Sequence, residues 1–266
     1  MKTISIAIAN QKGGVGKSTT AASLATELAI REFETLLIDA DPQSNATQIF
    51  LAPEMVQTSL ADVLIGNGAS ITEKRVTTEV EHLDLVPATL SLANFDRENA
   101  LAVTKLRTAL RDLGDAYDFI IIDTPPNFGL LLTTALTAAT HVLIPVQAAP
   151  FALTGLQDLL SVIKNAQDLN ENLTVLGAVC TLYDTRTSVS GASFRALSEM
   201  MPGKTFETII HRQTKLEEAP SMHQPIQLYA PSSRGAEQYS TLTDEMLSRL
   251  GVSGKSTKLS VVKGTR

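Results

Sequence analysis

The nine residues QKGGVGKST, at positions 11–19, decide the fold of this 266-residue chain. An alternating apolar run, ISIAI at residues 4–8, precedes them, and a helical pattern of alanine and leucine follows. Strand, glycine-rich loop and helix in this order form the context that a phosphate-binding loop requires. The glycines let backbone N–H groups turn towards phosphate oxygens, and the N-terminus of the following helix attracts the same anion. In such a loop Lys17 reaches the β- and γ-phosphates and the Ser18 hydroxyl binds Mg²⁺.

Two positions depart from the usual pattern G-x-x-x-x-G-K-[ST]. Gln11 stands where the first glycine belongs, and Lys12 adds a second lysine. The resulting motif, K-G-G-x-G-K-[ST], resembles the deviant loop of the ParA/MinD ATPases. The resemblance implies ATP and Mg²⁺ as ligands, and a homodimer in which Lys12 reaches the partner's nucleotide; a glycine-rich turn that binds nothing is the alternative. The residues assigned to ATP binding are Lys12, Gly13, Gly14, Val15, Gly16, Lys17, Ser18, Thr19, Arg212 and Gln213.

Two further apolar runs end in acidic residues. Asp39 and Asp41 end the run TLLIDAD at residues 35–41, and Asp123 ends the run FIIID at residues 119–123. Because the carboxyl ends of parallel strands form the ligand-binding edge of an α/β sheet, we expect these acids near the phosphates. An acid in the place of Asp123 can hold a magnesium-bound water. The alternative for each acid is that it only begins a turn.

The sequence D-x-D-P-Q at residues 39–43 strengthens the resemblance, since it is similar to the switch region of ParA/MinD proteins. The resemblance implies that Asp41 orients the attacking water and that Asp39 lies near the magnesium ion. Lys12 and Lys17 stabilise the charge that develops on the phosphates. The predicted catalytic residues are therefore Lys12, Lys17 and Asp41, and the predicted metal residues are Ser18, Asp39 and Asp123.

Composition excludes several classes of protein. The apolar fraction of 44% and the aromatic fraction of 5% suit a parallel sheet rich in Val, Ile and Leu. The net charge of −6 argues against a wholly basic surface, although it allows a local basic patch. The single cysteine, Cys180, excludes a disulfide framework and an electron carrier whose subunits each supply two cysteines. No apolar stretch reaches the ~18 residues of a membrane span, and the first residues already form a predicted strand, so we expect a cytoplasmic protein without a signal peptide.

Strands and helices alternate along the rest of the chain. Strands are predicted at residues 83–87, 119–123, 141–147, 173–182 and 206–210, and helices at 58–65, 95–113, 153–169, 190–201 and 235–250. The alternation predicts a doubly wound α/β domain, a mostly parallel sheet with helices on both faces, as in P-loop NTPases. We expect this domain to cover residues 1–250 and to be followed by a flexible basic tail, residues 251–266.

Two segments that follow predicted strands carry basic residues. The sequences YDTRT at residues 183–187 and HRQTKLEEAPS at residues 211–221 resemble ParA-type segments. In that family, basic residues around these segments contact DNA phosphates, and part of the second segment borders the adenine. We therefore predict that Arg186 and Lys215 bind DNA, with ordinary solvated charges as the alternative. His211 and Gln213 replace the usual proline and asparagine, which leaves the adenine contacts open.

These features predict an ATP-dependent dimeric switch that binds DNA without base specificity and hydrolyses ATP. The resemblance implies a ParB-type partner, a nucleoid-associated location and a role in segregating plasmid or chromosomal DNA. One alternative is a ParA-like ATPase that positions a non-DNA cargo, and another is a metabolic P-loop enzyme that uses ATP. We expect no membrane partner, because the tail has too few apolar residues to form a membrane-binding helix.

Overall fold

The computed structural model describes residues 2–66, 69–149 and 153–253, which contain eight strands and eleven α-helices. The strands are β1 (Ile4–Ile8), β2 (Thr35–Asp39), β3 (Val76–Thr77), β4 (Leu83–Val86), β5 (Phe119–Asp123), β6 (His141–Gln147), β7 (Thr174–Tyr183) and β8 (Thr205–His211). The helices are α1 (Lys17–Ile30), α2 (Asn45–Gln48), α3 (Leu60–Leu64), α4 (Ile71–Lys74), α5 (Lys105–Asp112), α6 (Leu130–Ala138), α7 (Thr154–Gln167), α8 (Ser188–Met200), α9 (Thr214–Glu218), α10 (Ile226–Tyr229) and α11 (Arg234–Arg249). Short 3₁₀ segments lie at Pro53–Met55, Leu90–Arg97, Ala100–Thr104 and Ala219–Met222.

The strands form one sheet in the order β3-β4-β2-β5-β1-β6-β7-β8. Every neighbouring pair is parallel except β3 and β4, which pair antiparallel at one edge. Parallel strands need crossover connections, and helices supply most of them here. The order confirms the predicted doubly wound, mostly parallel sheet.

Side chains of the sheet are buried on both faces. Along β1, Ile6 and Ile8 pack in the core beneath α1 and α11, whereas Ala7 packs in the core beneath α5, α6 and α7. Successive side chains of a strand point to opposite faces, so an almost uniformly apolar strand requires helices on both sides. The apolar runs of the sequence thus explain the two helical layers.

The register of the central strands aligns their carboxyl ends at the same end of the sheet. Ile8 pairs with Asp123 across β1 and β5, and Asp39 pairs with Asp123 across β2 and β5. The loops that follow β1, β2 and β5 therefore emerge side by side at one edge of the sheet.

The predicted long helix over residues 95–113 is wrong. Two 3₁₀ segments occupy residues 90–104, and the α-helix begins only at Lys105. Oδ1 of Asn99 accepts a hydrogen bond from the N–H of Leu101 at 2.9 Å, so a new turn starts there instead of a continuous helix. Leu101 is 83% exposed, whereas Leu106, inside α5, is buried.

Helix α6 (Leu130–Ala138) has no counterpart among the predicted elements. Its sequence, LLLTTALTA, has apolar residues and threonines but no charged residue, and it lacks the alternation between apolar and polar residues that marks a surface helix. The other predicted strands and helices agree closely with the observed bounds. Most of the predicted basic tail, residues 254–266, lies outside the described residues.

Candidate active site

The loop between β1 and α1 turns through two glycines with positive φ. Gly14 has φ 71° and Gly16 has φ 84°, and a Cβ on either would meet no atom within 4 Å. Backbone conformation, not lack of space, therefore requires glycine at these positions. Gly16 directly precedes α1, so the loop leads into the N-terminus of a 14-residue helix. An anion held by this loop would meet the unpaired N–H groups of the helix.

Side chains outside the motif hold the loop in place. The Asn10 amide donates to the carbonyl of Pro145 on β6 at 2.6 Å, and its Oδ1 accepts from the N–H of Lys12 at 2.9 Å. The Thr181 hydroxyl on β7 donates to the carbonyl of Val15 at 2.8 Å. Sequence reasoning did not assign Asn10 or Thr181 to the site. Asn10 directly precedes the motif, which is the signal that could have identified it.

The two lysines of the loop differ in environment. Lys17 is 6% exposed, and its Nζ lies 3.5 Å from the carbonyl of Lys12. Burial lowers the pKa of Lys17, while the carboxylates of Asp123 and Asp41 act in the opposite direction. Lys12 is exposed, and within the described residues its ammonium forms no ion pair. Lys17 is thus buried beside carboxylates, whereas the ammonium group of Lys12 is exposed and can contact a ligand that approaches from solvent.

Asp39 is fully buried and fully hydrogen-bonded. Its Oδ1 accepts from the N–H of Asp41 at 3.0 Å, and its Oδ2 accepts from the N–H and hydroxyl of Thr47 at 2.8 and 2.7 Å. Burial raises the pKa of Asp39 to about 7 in spite of these bonds. Asp39 thus ties α2 to the end of β2, and its role as a metal residue stays a prediction.

Asp123 is equally buried, but neither carboxylate oxygen has a hydrogen-bond partner within the described residues. Burial raises its pKa well above the usual value and Asp39 raises it further, whereas Ser18 and Lys17 lie close enough to lower it. An unpaired buried carboxylate is costly unless a cation or a water meets it. The chemistry around Asp123 and the Ser18 hydroxyl therefore fits a magnesium ion.

A magnesium ion bound together with phosphates needs few protein ligands. In the described part of the chain, no group of three or more His, Cys, Asp or Glu side chains is arranged to hold a metal ion. Mg²⁺ beside phosphates usually takes few protein oxygens and keeps waters and phosphate oxygens as its other ligands. Ser18 and Asp123 would supply the protein side of such a site.

The glycine-rich loop forms part of the wall of two cavities. One, of about 460 Å³, is lined by Lys17, Ser18 and Asp41 among others. The second, of about 400 Å³, is lined by Arg212 and Gln213. Both cavities include Gly14, Gly16, Thr19 and Pro220 in their walls. This arrangement can accept a ligand whose phosphates lie on the loop and whose base lies beside residues 212–213.

Asp41 lies in the first cavity and is itself largely buried. Its Oδ1 accepts a hydrogen bond from the N–H of Gln43 at 2.9 Å. Burial raises the pKa of Asp41, and the nearby Lys17 lowers it. The carboxylate is thus held in one orientation beside the phosphate loop.

The residues predicted to bind DNA lie outside both cavities and are paired with acids. Arg186 Nε and Nη2 contact both carboxylate oxygens of Asp184, the shortest distance being 2.7 Å. Lys215 contacts Glu218 at 2.8 Å and lies over the ring of Tyr229. Both basic side chains remain largely exposed, so DNA would have to compete with these surface ion pairs, which are weak.

Residues 1–175 match the family model described as AAA domain. The sporulation initiation inhibitor protein Soj of Bacillus subtilis is 41% identical over 246 residues, 91% of this chain and 97% of that protein. The chromosome partitioning protein ParA of Myxococcus xanthus is 40% identical over 249 residues, 92% of this chain and 88% of that protein. This chain belongs to the ParA/MinD family of ATPases.

A solved structure of a nucleotide-binding enzyme shares the fold of this chain. Cobyrinic acid a,c-diamide synthase from Mycobacterium smegmatis, with bound ADP and magnesium, superposes with a TM-score of 0.81 at 31% identity. The match covers 94% of this chain and 96% of that one. Within residues 2–66, 69–149 and 153–253 of this ParA/MinD protein, no helix combines the length and apolar character needed to cross a bilayer.

Proposed function

We propose that this protein is an ATP-dependent dimeric switch that binds DNA without base specificity and takes part in partitioning plasmid or chromosomal DNA. The observation that carries the proposal is the contrast between Lys17, buried among carboxylates, and Lys12, exposed on the same loop without an ion pair in the described part of the chain. In a face-to-face dimer Lys17 would serve the nucleotide of its own subunit. Lys12 would neutralise charge on the nucleotide of the other subunit.

The chemistry of hydrolysis follows from the side chains around the first cavity. The backbone of residues 13–19 and Lys17 would bind the phosphates, and Ser18 and Asp123 would hold a magnesium ion, which would neutralise phosphate charge. Asp41 has one oxygen held by Gln43, so its other oxygen can orient a water for attack on the γ-phosphate. Lys12 and Lys17 stabilise the charge that grows on the phosphates during transfer. Arg212 and Gln213, in the wall of the second cavity, border the base.

The proposed partners follow from the relatives and from the basic residues at the sheet edge. The Myxococcus relative is named a chromosome partitioning protein. Arg186 and Lys215 follow neighbouring strands β7 and β8, so both lie at the edge that carries the nucleotide cavities. We infer that the ATP-bound dimer presents them to DNA phosphates, and that a ParB-type protein stimulates hydrolysis and release. The protein would then be cytoplasmic and associated with the nucleoid.

A second candidate is a metabolic ATP-dependent enzyme. The similarity to the Mycobacterium diamide synthase, at 31% identity, favours this candidate. The relatives named ParA and Soj are more similar in sequence, at 40 and 41%. The two functions differ in their need for DNA, and that difference can be measured.

The deciding experiment compares DNA binding in the presence of ATP and of ADP, both with Mg²⁺. The proposal predicts that wild-type protein binds duplexes of unrelated sequence with ATP and releases them with ADP. Asp41→Ala should bind ATP, hydrolyse it poorly and stay on DNA, whereas the exposed control Asp112→Asn should behave as wild type. Absence of DNA binding in both nucleotide states would reject the switch and favour the metabolic enzyme. Normal hydrolysis by Asp41→Ala would remove Asp41 from the mechanism.

A further inference from the structure

Two segments that are distant in sequence form the wall of the first cavity opposite the glycine-rich loop. Helix α2 contributes Asn45 and Gln48 to this wall. The 3₁₀ segment Ala219–Met222 and the residue after it contribute Pro220 and His223. The size of the cavity mouth therefore depends on how firmly α2 and this segment are held together.

His223 joins the two parts of the wall directly. Its Nδ1 lies 2.7 Å from the carbonyl oxygen of Gln48. A carbonyl oxygen only accepts hydrogen bonds, so Nδ1 carries a proton and donates. Gln48 is the last residue of α2, where carbonyl groups have no partner within the helix. The imidazole thus supplies a donor that the helix itself cannot provide.

Helix α2 is fixed to the sheet on its other side. The Thr47 hydroxyl donates to Asp39 and accepts a hydrogen bond from the N–H of Ala88 at 2.9 Å. Thr47 therefore connects α2 to the ends of β2 and β4, and His223 connects it to the segment across the cavity. Because α2 begins soon after Asp41, its position also affects the part of the chain that carries this carboxylate.

The backbone of His223 is in the left-handed region, with φ 52°. For a residue with a Cβ this conformation is strained, whereas glycine adopts it freely. Glycine at this position would relieve the backbone but would lose the hydrogen bond to Gln48. The two effects can therefore be separated by substitution.

We propose that His223 is a positioning residue that clamps α2 over the nucleotide cavity and slows the release of bound nucleotide. This inference rests on the proposed function, because the cavity must hold a nucleotide for the clamp to act on it. Without the imidazole donor, α2 keeps its Thr47 hydrogen bonds and the core packing of Ala46 and Ile49 but loses its link to the segment across the cavity, so the cavity opens more often. Nucleotide release then becomes faster, even where the resting fold is unchanged.

The test measures the release of fluorescently labelled ADP from the full chain in the presence of Mg²⁺, after addition of excess unlabelled ADP. His223→Gly should release it about fivefold faster, the effect expected from the loss of one hydrogen bond. His223→Phe keeps a ring but has no donor and should release at a similarly raised rate. The matched control is His82→Gly: His82 also has a positive φ of 65° and contacts Glu34 at 2.7 Å, but it precedes β4 at the opposite edge of the sheet. Its release rate should equal that of wild type.

The possible results distinguish failure of the His223 clamp from failure of the proposed nucleotide-binding function. If wild-type protein binds labelled ADP and both His223 variants release it at the wild-type rate, the clamp is rejected and the nucleotide site stands. If wild-type protein binds no labelled ADP, the proposed function fails first. Circular dichroism checks folding of each variant, and where His223→Gly does not fold, His223→Phe decides by the same criterion.

Discussion

Asp39 and Asp123 lie opposite each other in the parallel pairing of β2 and β5, and both are fully buried. Three hydrogen bonds satisfy Asp39, whereas Asp123 has no hydrogen-bond partner within the described residues. Burial raises the pKa of both carboxyl groups, to about 7 for Asp39 and well above the usual value for Asp123. The strand register thus places two acids where a cation would stabilise them. Without a cation they destabilise the fold.

Asp123→Asn should stabilise the protein in the absence of metal and nucleotide. The pKa of Asp123 in the folded protein is raised above the ordinary 3.8 of the unfolded chain. The folded state therefore loses stability relative to the unfolded state as the pH rises from about 3.8 towards the pKa of the folded protein. We expect Asp123→Asn to melt on the order of 5 °C higher than wild type at pH 8, with little difference near pH 4. Thermal denaturation in EDTA measures this. Asp112→Asn, at an exposed position, is the control, and an unchanged melting temperature at pH 8 would contradict the assigned environment.

Thr47→Val should destabilise the protein because it leaves buried Asp39 with one donor fewer and the N–H of Ala88 without its acceptor. The expected loss is about 1–3 kcal/mol in the free energy of unfolding, measured with urea at neutral pH. Thr137→Val is a matched control: Thr137 is also fully buried, but its hydroxyl has no partner in the described part of the chain. Thr137→Val should leave the free energy of unfolding unchanged or raise it slightly. Equal losses in the two variants would show that the hydrogen bonds of the Thr47 hydroxyl to Asp39 and Ala88 do not stabilise the fold.

Lys17→Ala should impair ATP binding, whereas Lys12→Ala should impair ATP-dependent dimer formation. Lys17 is buried at the phosphate loop, so its removal should weaken ATP binding by roughly 10–100-fold, as expected for hydrogen bonds to a charged group. Lys12 is exposed, so Lys12→Ala should bind ATP nearly normally but fail to form the ATP-dependent dimer. Titration with labelled ATP and light scattering in ATP measure the two effects. Full ATP affinity in Lys17→Ala would refute the phosphate-loop assignment, and a normal dimer in Lys12→Ala would refute the role across subunits.

Arg186→Ala and Asp184→Asn should change DNA affinity in opposite directions. Asp184 accepts hydrogen bonds from the Arg186 side chain and backbone, which lower its pKa to about 2. Removing the charge of Asp184 frees Arg186, so Asp184→Asn should bind DNA more tightly. Arg186→Ala should bind unrelated duplexes uniformly more weakly, and the slope of affinity against salt should fall by about one. Fluorescence anisotropy in ATP at several salt concentrations measures both variants. If both bind as wild type does, the DNA surface lies elsewhere.

The sequence alone determined the fold class and the core of the candidate site. The fold class and the site follow from short stretches of sequence whose conformation and chemistry depend on neighbouring residues only. These stretches are the loop with Gly13, Gly14, Gly16 and Lys17, and the apolar runs that end in acids. The spacing of apolar residues predicted most strands and the four longest helices, α1, α7, α8 and α11, for the same reason. The two-residue strand β3 and the short helices α2, α4, α9 and α10 were not predicted. The helix expected at residues 95–113 fails where a side chain interrupts the backbone pattern, and α6 was missed because a largely apolar stretch has no clear period.

Tertiary structure alone decided how the site is held. Asn10 meets Pro145, 135 residues away, and His223 meets Gln48, 175 residues away. Such partners depend on strand order and register, which no local pattern encodes. The ion pairs of Arg186 with Asp184 and of Lys215 with Glu218 are different, because they join residues close in sequence and need no long-range contact. Residue type and spacing therefore predicted the chemistry of this protein, while the folded chain decided which groups are buried, paired or left available.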